Sequence, residues 1–192
     1  GGSAIWIAQQ IGARVIGITL SEQQVRAARA LARKHGVEDR ATFSVMDYTR
    51  TAFPDASFDV VWALESACHA PRKMDFLREA WRVLKTGGRL IVADAFLKRP
   101  ARTETERQIL EEFLEGFVLP GLDFAEQFRK SLEETSFTRI SFWDKTNEIL
   151  PSSRRLYWLG RLAHPFAALT EKACARCSII AKHSLTGIRQ YQ

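Results

Sequence analysis

At 192 residues, with 46% apolar and 26% charged side chains, the chain has the size and composition of one ordinary globular domain with a substantial core. No run of 18 apolar residues occurs, so the sequence offers no transmembrane helix. The net charge of +6 is concentrated in residues 151–192, which hold seven Lys or Arg against the single acid Glu171. Solvated helix faces account for such a surplus, as does contact with a membrane surface or an acidic ligand; no aromatic-studded basic motif supports nucleic-acid binding.

In chain order, Gly1-Gly2-Ser3 reads as a glycine turn feeding a short helix over Ile5–Ile11. Ala13–Leu20 reads as a parallel strand buried on both faces. Ser21-Glu-Gln-Gln24 fits a capping box, with Ser21 as N-cap and Gln24 reaching back to it. The helix it opens presents Val25, Ala28 and Leu31 and stops near His35, with Gly36 as a left-handed terminator. Ala41–Met46 and Phe58–Leu64 read as further strands. Met74, Leu77, Trp81 and Leu84 mark one helix face, closed by Gly87-Gly88, and Arg89–Phe96 reads as another buried strand. Helices are expected over 103–117 and 123–135, a strand over Phe137–Trp143, and basic helix from Pro151, broken at Pro165. Strands alternating with helices argue an α/β fold, a doubly wound, mostly parallel sheet, with the later helices as a cap.

The chemistry-bearing residues fall at strand ends, where ligands bind in open α/β sheets. Glycines before a helix let backbone N–H groups approach a negatively charged group. Thr19, Ser21 and Gln24 stand where a ribose-gripping acid is usual, so hydroxyls or an amide would replace it; for Gln24 the capping role is the rival reading. Asp47 can accept from an adenine amine with Tyr48 packing beside it, or simply form a turn. Glu65, read as a buried carboxylate, can offset developing positive charge. His69 can act as a general base or rest as a rim histidine. Cys68 reads as packing, and Asp94 either faces a substrate or caps a helix. Cys174 and Cys177 form a lone C-x-x-C on a helix with no second pair to complete a zinc site, so no metal site is expected. An odd cysteine count and no signal-peptide shape point to a reducing, cytoplasmic setting.

Taken together, these segments resemble class I S-adenosylmethionine-dependent methyltransferases. Gly1-Gly2-Ser3 is similar to the tail of that family's D-x-G-C-G-x-G-G motif. Gly17-Ile-Thr-Leu-Ser21 with Gln24 resembles the second motif of tocopherol methyltransferases and cyclopropane fatty-acid synthases, and Asp47 matches the adenine-contacting acid. Leu84-Lys-Thr-Gly-Gly-Arg-Leu90 resembles L-K-P-G-G-x-L, with Thr86 in place of the usual proline. Glu65-Ser-Ala-Cys-His-Ala-Pro71 is similar to the E-A-T-C-H-A-P stretch of sterol side-chain methyltransferases.

The resemblance covers about residues 1–145. It implies S-adenosylmethionine as cofactor, held by Gly1, Gly2, Thr19, Leu20, Ser21, Gln24, Asp47, Tyr48 and Leu64. Glu65 and His69 would be the catalytic residues. The implied reaction is methylation of a small lipophilic acceptor, sterol-, terpenoid- or tocopherol-like, with carbon methylation favoured. Alternatives are O- or N-methylation of a small natural product, or a non-catalytic module binding membrane or partner. One methyltransferase domain is expected over 1–192, with a cofactor core over 1–100 and helical cap elements over 101–136 and 151–192. Against the family pattern, the first strand and a closing strand are expected to be missing, as in a chain truncated at both ends. The basic C-terminal helices would permit peripheral membrane contact.

Overall fold

The computed structural model describes residues 1–169, and their side chains as far as Leu159. Two compact units are distinguished: Gly1–Trp62 with Met74–Ile91, and Ala63–Lys73 with the chain from Val92 onward. The boundary falls inside two strands, so it follows the packing of the chain and not its linear order.

In the first unit, α1 (Gly2–Ile11) starts with Gly1 as N-cap, earlier than the Ile5 that the apolar pattern suggests, so the glycines belong to the helix start itself. Strand β1 (Val15–Thr19) pairs in parallel with β2 (Ala41–Val45), in a register placing Gly17 opposite Phe43 and Thr19 opposite Val45. Between them, α2 (Glu22–Lys34) buries Val25, Ala28 and Ala32. That stripe, and not one through Leu31, faces the core, since the 25–28–32 spacing follows the 3.6-residue turn. The helix stops where Gly36 takes φ +64° and the N–H groups of Gly36 and Val37 reach back to the carbonyls of Arg33 and Ala32. Ile5 and Ala8 of α1 join Val25, Ala28, Ala32, Val37, Ala41 and Phe43 in one core.

Gly17 has no room for a side chain. A β-carbon there would stand 2.6 Å from the Phe43 ring, which is itself buried. Gly17→Ala is therefore expected to lower unfolding free energy by about 1–3 kcal/mol, the usual cost of overpacking a core, measured by denaturant titration. An unchanged midpoint would mean the ring yields freely.

The second sheet pairs β3 (Phe58–Leu64) with β4 (Leu84–Ala93). Ser57 donates to Val83 at one end and Glu65 to Ala93 at the other, so the strands run in the same direction. Helix α3 (Lys73–Val83) buries Phe76, Leu77, Ala80 and Val83. Trp81 is exposed and Leu84 already belongs to β4, which corrects the face expected from sequence. Nor do Gly87 and Gly88 close the helix. They lie within β4, where a β-carbon on Gly88 would meet the Lys85 carbonyl at 2.8 Å and the Asp59 carbonyl of β3 at 3.1 Å, so close backbone selects glycine.

The strands are not buried on both faces. Ile16, Val60, Trp62, Leu64 and Ile91 are each more than 40% exposed. Among the described residues each sheet has two strands.

In the second unit, α4 (Glu104–Phe117) is capped by Thr103, whose hydroxyl accepts from the Glu106 N–H, and α5 (Ala125–Glu134) follows. Phe96 packs against Phe128 and Phe142, with ring centroids 5.1 and 6.0 Å apart. Phe137–Trp143 forms no strand, because Arg139 adopts φ +53° in its middle and breaks the extended run. Helix α6 (Thr146–Leu169) begins before Pro151 and carries through Pro165. Each proline removes one backbone donor yet leaves the rest of the ladder to continue. No described helix is long and apolar enough to cross a membrane. The Cys174–Cys177 pair and the basic residues from Lys172 onward lie outside the described residues.

Candidate functional site

The predicted residues gather into two groups, one in each unit. In the first unit, the parallel pairing brings the carboxyl ends of β1 and β2 together, and Met46 N–H donates to the Thr19 carbonyl at 3.1 Å. Ser21 caps α2, its hydroxyl accepting from the Gln24 N–H at 3.3 Å. The return half of the capping box is not made. The Gln24 side-chain carbonyl instead accepts from the Thr19 hydroxyl at 2.8 Å, and that hydroxyl accepts from the Ser21 N–H at 3.3 Å. Thr19, Ser21 and Gln24 thus form one polar cluster at a strand end, with Leu20 beside it 70% exposed.

Asp47 follows β2. Its Oδ1 accepts from both the N–H and the hydroxyl of Thr49, at 2.8 and 2.7 Å, so it forms the turn that the plainer sequence reading allowed. Tyr48 meets Phe76 edge-on, centroids 5.6 Å apart, and so helps to close the core as well as flank Asp47. Of the two terminal glycines, Gly1 is required by packing, because a β-carbon there would lie 2.8 Å from that of Ala28. At Gly2 a β-carbon would meet nothing within 4 Å, and the α1 N-terminus has no side-chain cap.

In chemical terms these groups fit the cofactor that the resemblance implies. The hydroxyl–amide cluster suits a ribose diol, a turn carboxylate suits an adenine amine, and an uncapped helix N-terminus with open space at Gly2 suits a carboxylate.

Sequence reasoning missed a second polar network in this unit. Glu79 Oε1 accepts from the Thr51 N–H at 2.7 Å and hydroxyl at 2.5 Å, and both carboxylate oxygens accept from Arg82. Arg82 also donates to Asp55 and to the Phe53 carbonyl. The three-residue spacing of Glu79 and Arg82 was the available signal.

The second unit holds Leu64, Glu65 and His69. At the carboxyl end of β3 the chain turns through a short 3₁₀ segment, Ala67–His69. Ala67, Cys68 and Ala70 are buried, whereas Glu65 and His69 are exposed. Glu65 is therefore not the buried carboxylate expected; the turn roots its small residues inward and presents its two titratable ones. Glu65 takes φ +46°, a left-handed conformation that costs a non-glycine residue energy; among the described residues Ala56, Val118, Ser136 and Arg139 share it, but Glu65 is the one that stands at the carboxyl end of a strand. Leu64, directly before it, is 47% exposed.

Cys68 is held inside this turn. Burial, then its hydrogen bond to Asp94, pushes its thiol up from 9.0 to about 12, so it stays protonated and is not a nucleophile. On incubation with iodoacetamide at pH 8, Cys68 of the folded protein is expected to stay unmodified by peptide mass spectrometry until denaturant is added. Rapid alkylation of the native protein would refute its burial.

The family model described as "Methyltransferase domain" matches residues 1–92. Among curated proteins, the chain is 37% identical to a 27-O-demethylrifamycin SV methyltransferase of Amycolatopsis mediterranei, over 90% of this chain and 61% of that protein. It is 34% identical to a 2-methyl-6-phytyl-1,4-hydroquinone methyltransferase of Synechocystis, over 83% and 51% respectively. Against 24-methylenesterol C-methyltransferase 2 of rice the identity is 33%, over 85% and 46%. The chain thus spans about half the length of the curated relatives it matches. In fold it is similar to a sarcosine dimethylglycine methyltransferase structure from Galdieria sulphuraria, with a TM-score of 0.77 at 15% identity, over 98% of this chain and 69% of the other. Residues 1–92 thus match a methyltransferase domain, and the chain resembles class I, S-adenosylmethionine-dependent methyltransferases of the sterol and tocopherol group.

Proposed function

We propose that the whole protein transfers a methyl group from S-adenosylmethionine to a carbon atom of a small lipophilic acceptor. The observation that carries this reading is the turn after β3, where a left-handed Glu65 and an exposed His69 stand on a buried Ala67-Cys68-Ala70 base. That turn has the sequence resembling sterol side-chain methyltransferases, and relatives named for a phytyl hydroquinone and for a sterol support a lipophilic acceptor.

When bound, S-adenosylmethionine supplies an electrophilic methyl group on a sulfonium. Thr19, Ser21 and Gln24 would hold its ribose, Asp47 its adenine amine, and the α1 N-terminus behind Gly1 and Gly2 its carboxylate, with Leu20, Tyr48 and Leu64 as apolar lining. Fixing the reactants in line lowers the barrier by up to roughly 7–11 kcal/mol. If the π pair of an alkene or electron-rich ring took the methyl group, the methyl–sulfur bond would break, its electron pair would leave with S-adenosylhomocysteine, and positive charge would remain on the acceptor. The Glu65 carboxylate would offset that charge until a base takes the proton from the acceptor. For a hydroxyl or amine acceptor, His69 would take the proton instead.

The test is transfer of radiolabelled methyl to 2-methyl-6-phytyl-1,4-hydroquinone, 24-methylenesterol and 27-O-demethylrifamycin SV by the complete gene product. Label on carbon of either lipophilic acceptor supports the proposal. Label on oxygen of the rifamycin alone would replace it with the O-methyltransferase reading, and no transfer to any would remove it.

Peripheral membrane contact belongs to the same proposal, because lipophilic acceptors reside in membranes. Within the described part of α6, Arg154 and Arg155 adjoin the exposed Leu156, Trp158 and Leu159. Salt-sensitive co-sedimentation with anionic vesicles would support it.

A further inference from the structure

The turn that presents Glu65 and His69 is clamped from both sides by Asp94, for which the sequence left open facing a substrate or capping a helix, and by Lys73. At its entry, Glu65 N–H donates to the Ala93 carbonyl at 2.8 Å. One residue beyond the end of β4, Asp94 uses both carboxylate oxygens. Oδ2 accepts from the Cys68 N–H at 2.9 Å, in the middle of the turn, and Oδ1 accepts from the Ala95 N–H at 3.0 Å, which fixes the carboxylate to its own strand end. At the exit, Lys73 at the start of α3 sends its Nζ to the carbonyls of Cys68 and Ala70, 2.7 Å each. Cys68 is thus held by its N–H on one side and by its carbonyl on the other. Asp94 and Lys73 are both half-buried and line the small cavity behind the turn together with Phe96 and Phe128.

We infer that Asp94 and Lys73 are positioning residues for methyl transfer, setting the place of Glu65 through the Cys68 peptide; the inference rests on the catalytic reading of Glu65. A carboxylate at 94 is required because two N–H donors converge on it. Asparagine offers one carbonyl oxygen and must leave one donor unmet or turn its NH₂ toward it. The left-handed backbone at Glu65 gives the clamp something to hold. A residue in a sparsely populated conformation relaxes when its surroundings no longer over-determine it, and a shift of about 1 Å in a reacting group costs roughly 100-fold in rate.

The test is a double-mutant cycle in the complete gene product with whichever acceptor above is methylated, using Glu65→Gln, Asp94→Asn and their combination, with Lys73→Met and its own combination as a second route should Asp94→Asn fold poorly. Asp94→Asn and Lys73→Met are each expected to lower kcat roughly 10- to 100-fold, with KM for S-adenosylmethionine unchanged. On the Glu65→Gln background each is expected to cost less than about threefold, because residues that act as a unit are not additive. Hydrogen exchange of residues 65–71 should quicken in both variants while α2 stays protected.

Additive losses, or unchanged exchange over 65–71, would overturn the inference and leave the methyltransferase reading standing. An undiminished Glu65→Gln enzyme, or a protein that transfers no methyl at all, would instead overturn the reading beneath it and the inference with it.

Discussion

Glu65→Gln is expected to reduce turnover by roughly 100- to 1,000-fold while S-adenosylhomocysteine affinity changes less than about twofold, a charge-stabilising role being worth that much in the transition state alone. The substitution is isosteric and keeps a β-carbon, so glutamine meets the same backbone demand at φ +46° as glutamate does. The charge is removed and one acceptor oxygen becomes an NH₂ donor, with the shape kept. The carboxylate contributes nothing while the acceptor is neutral and acts when positive charge develops on it, so the loss belongs in kcat. Equal losses in turnover and in cofactor binding would mean that Glu65 serves the fold or the cofactor. His69→Ala separates the two mechanisms. It is neutral if carbon is methylated with another base, and it is severe if the acceptor is a hydroxyl or amine.

Glu79→Ala is expected to cost about 1–3 kcal/mol of stability, because it strips acceptors from a Thr51 N–H and hydroxyl and from the Arg82 guanidinium. Through this network α3 holds the loop of residues 51–55. Burial alone would raise the Glu79 carboxyl, but hydrogen bonds from Arg82 and Thr51 outweigh it and hold it below its ordinary value of 4.5. A depressed carboxylate stabilises the fold above the unfolded value and loses that contribution as pH falls through the folded one. The stability gap between the wild type and Glu79→Gln, read by urea titration, should therefore be full at pH 7 and shrink below about pH 4.5. A gap that widened on acidification would contradict the arrangement.

Where local chemistry decides structure, the sequence could be read closely. Phe58–Leu64 runs from end to end as its apolar pattern indicates, and the Ser21 cap and the Gly36 stop are where their residue types place them. Readings failed where a distant partner decides. β4 begins at Leu84, not Arg89, because Ser57 pairs with Val83 and draws the strand out directly from the helix. Phe137–Trp143 has a strand composition, but a left-handed Arg139 interrupts it, and no composition signals that.

The candidate site shows the same division. Thr19, Ser21 and Gln24 could be singled out by type, and the structure joins them, though with a Thr19–Gln24 bond in place of the expected return bond from Gln24 to Ser21. Glu65 could be named, but its exposure and backbone could not be foreseen. The part of Asp94 and Lys73 was hidden because each acts on a peptide group of Cys68, and backbone partners leave no pattern in side-chain identity.

The most direct measurement is calorimetric titration of S-adenosylhomocysteine into the complete gene product, with Asp47→Ala and Gln24→Ala alongside. Binding on the order of micromolar, weakened roughly tenfold or more by each substitution, is the predicted result. A folded protein that takes up no S-adenosylhomocysteine, or binds it equally well without Asp47 and Gln24, would contradict the account.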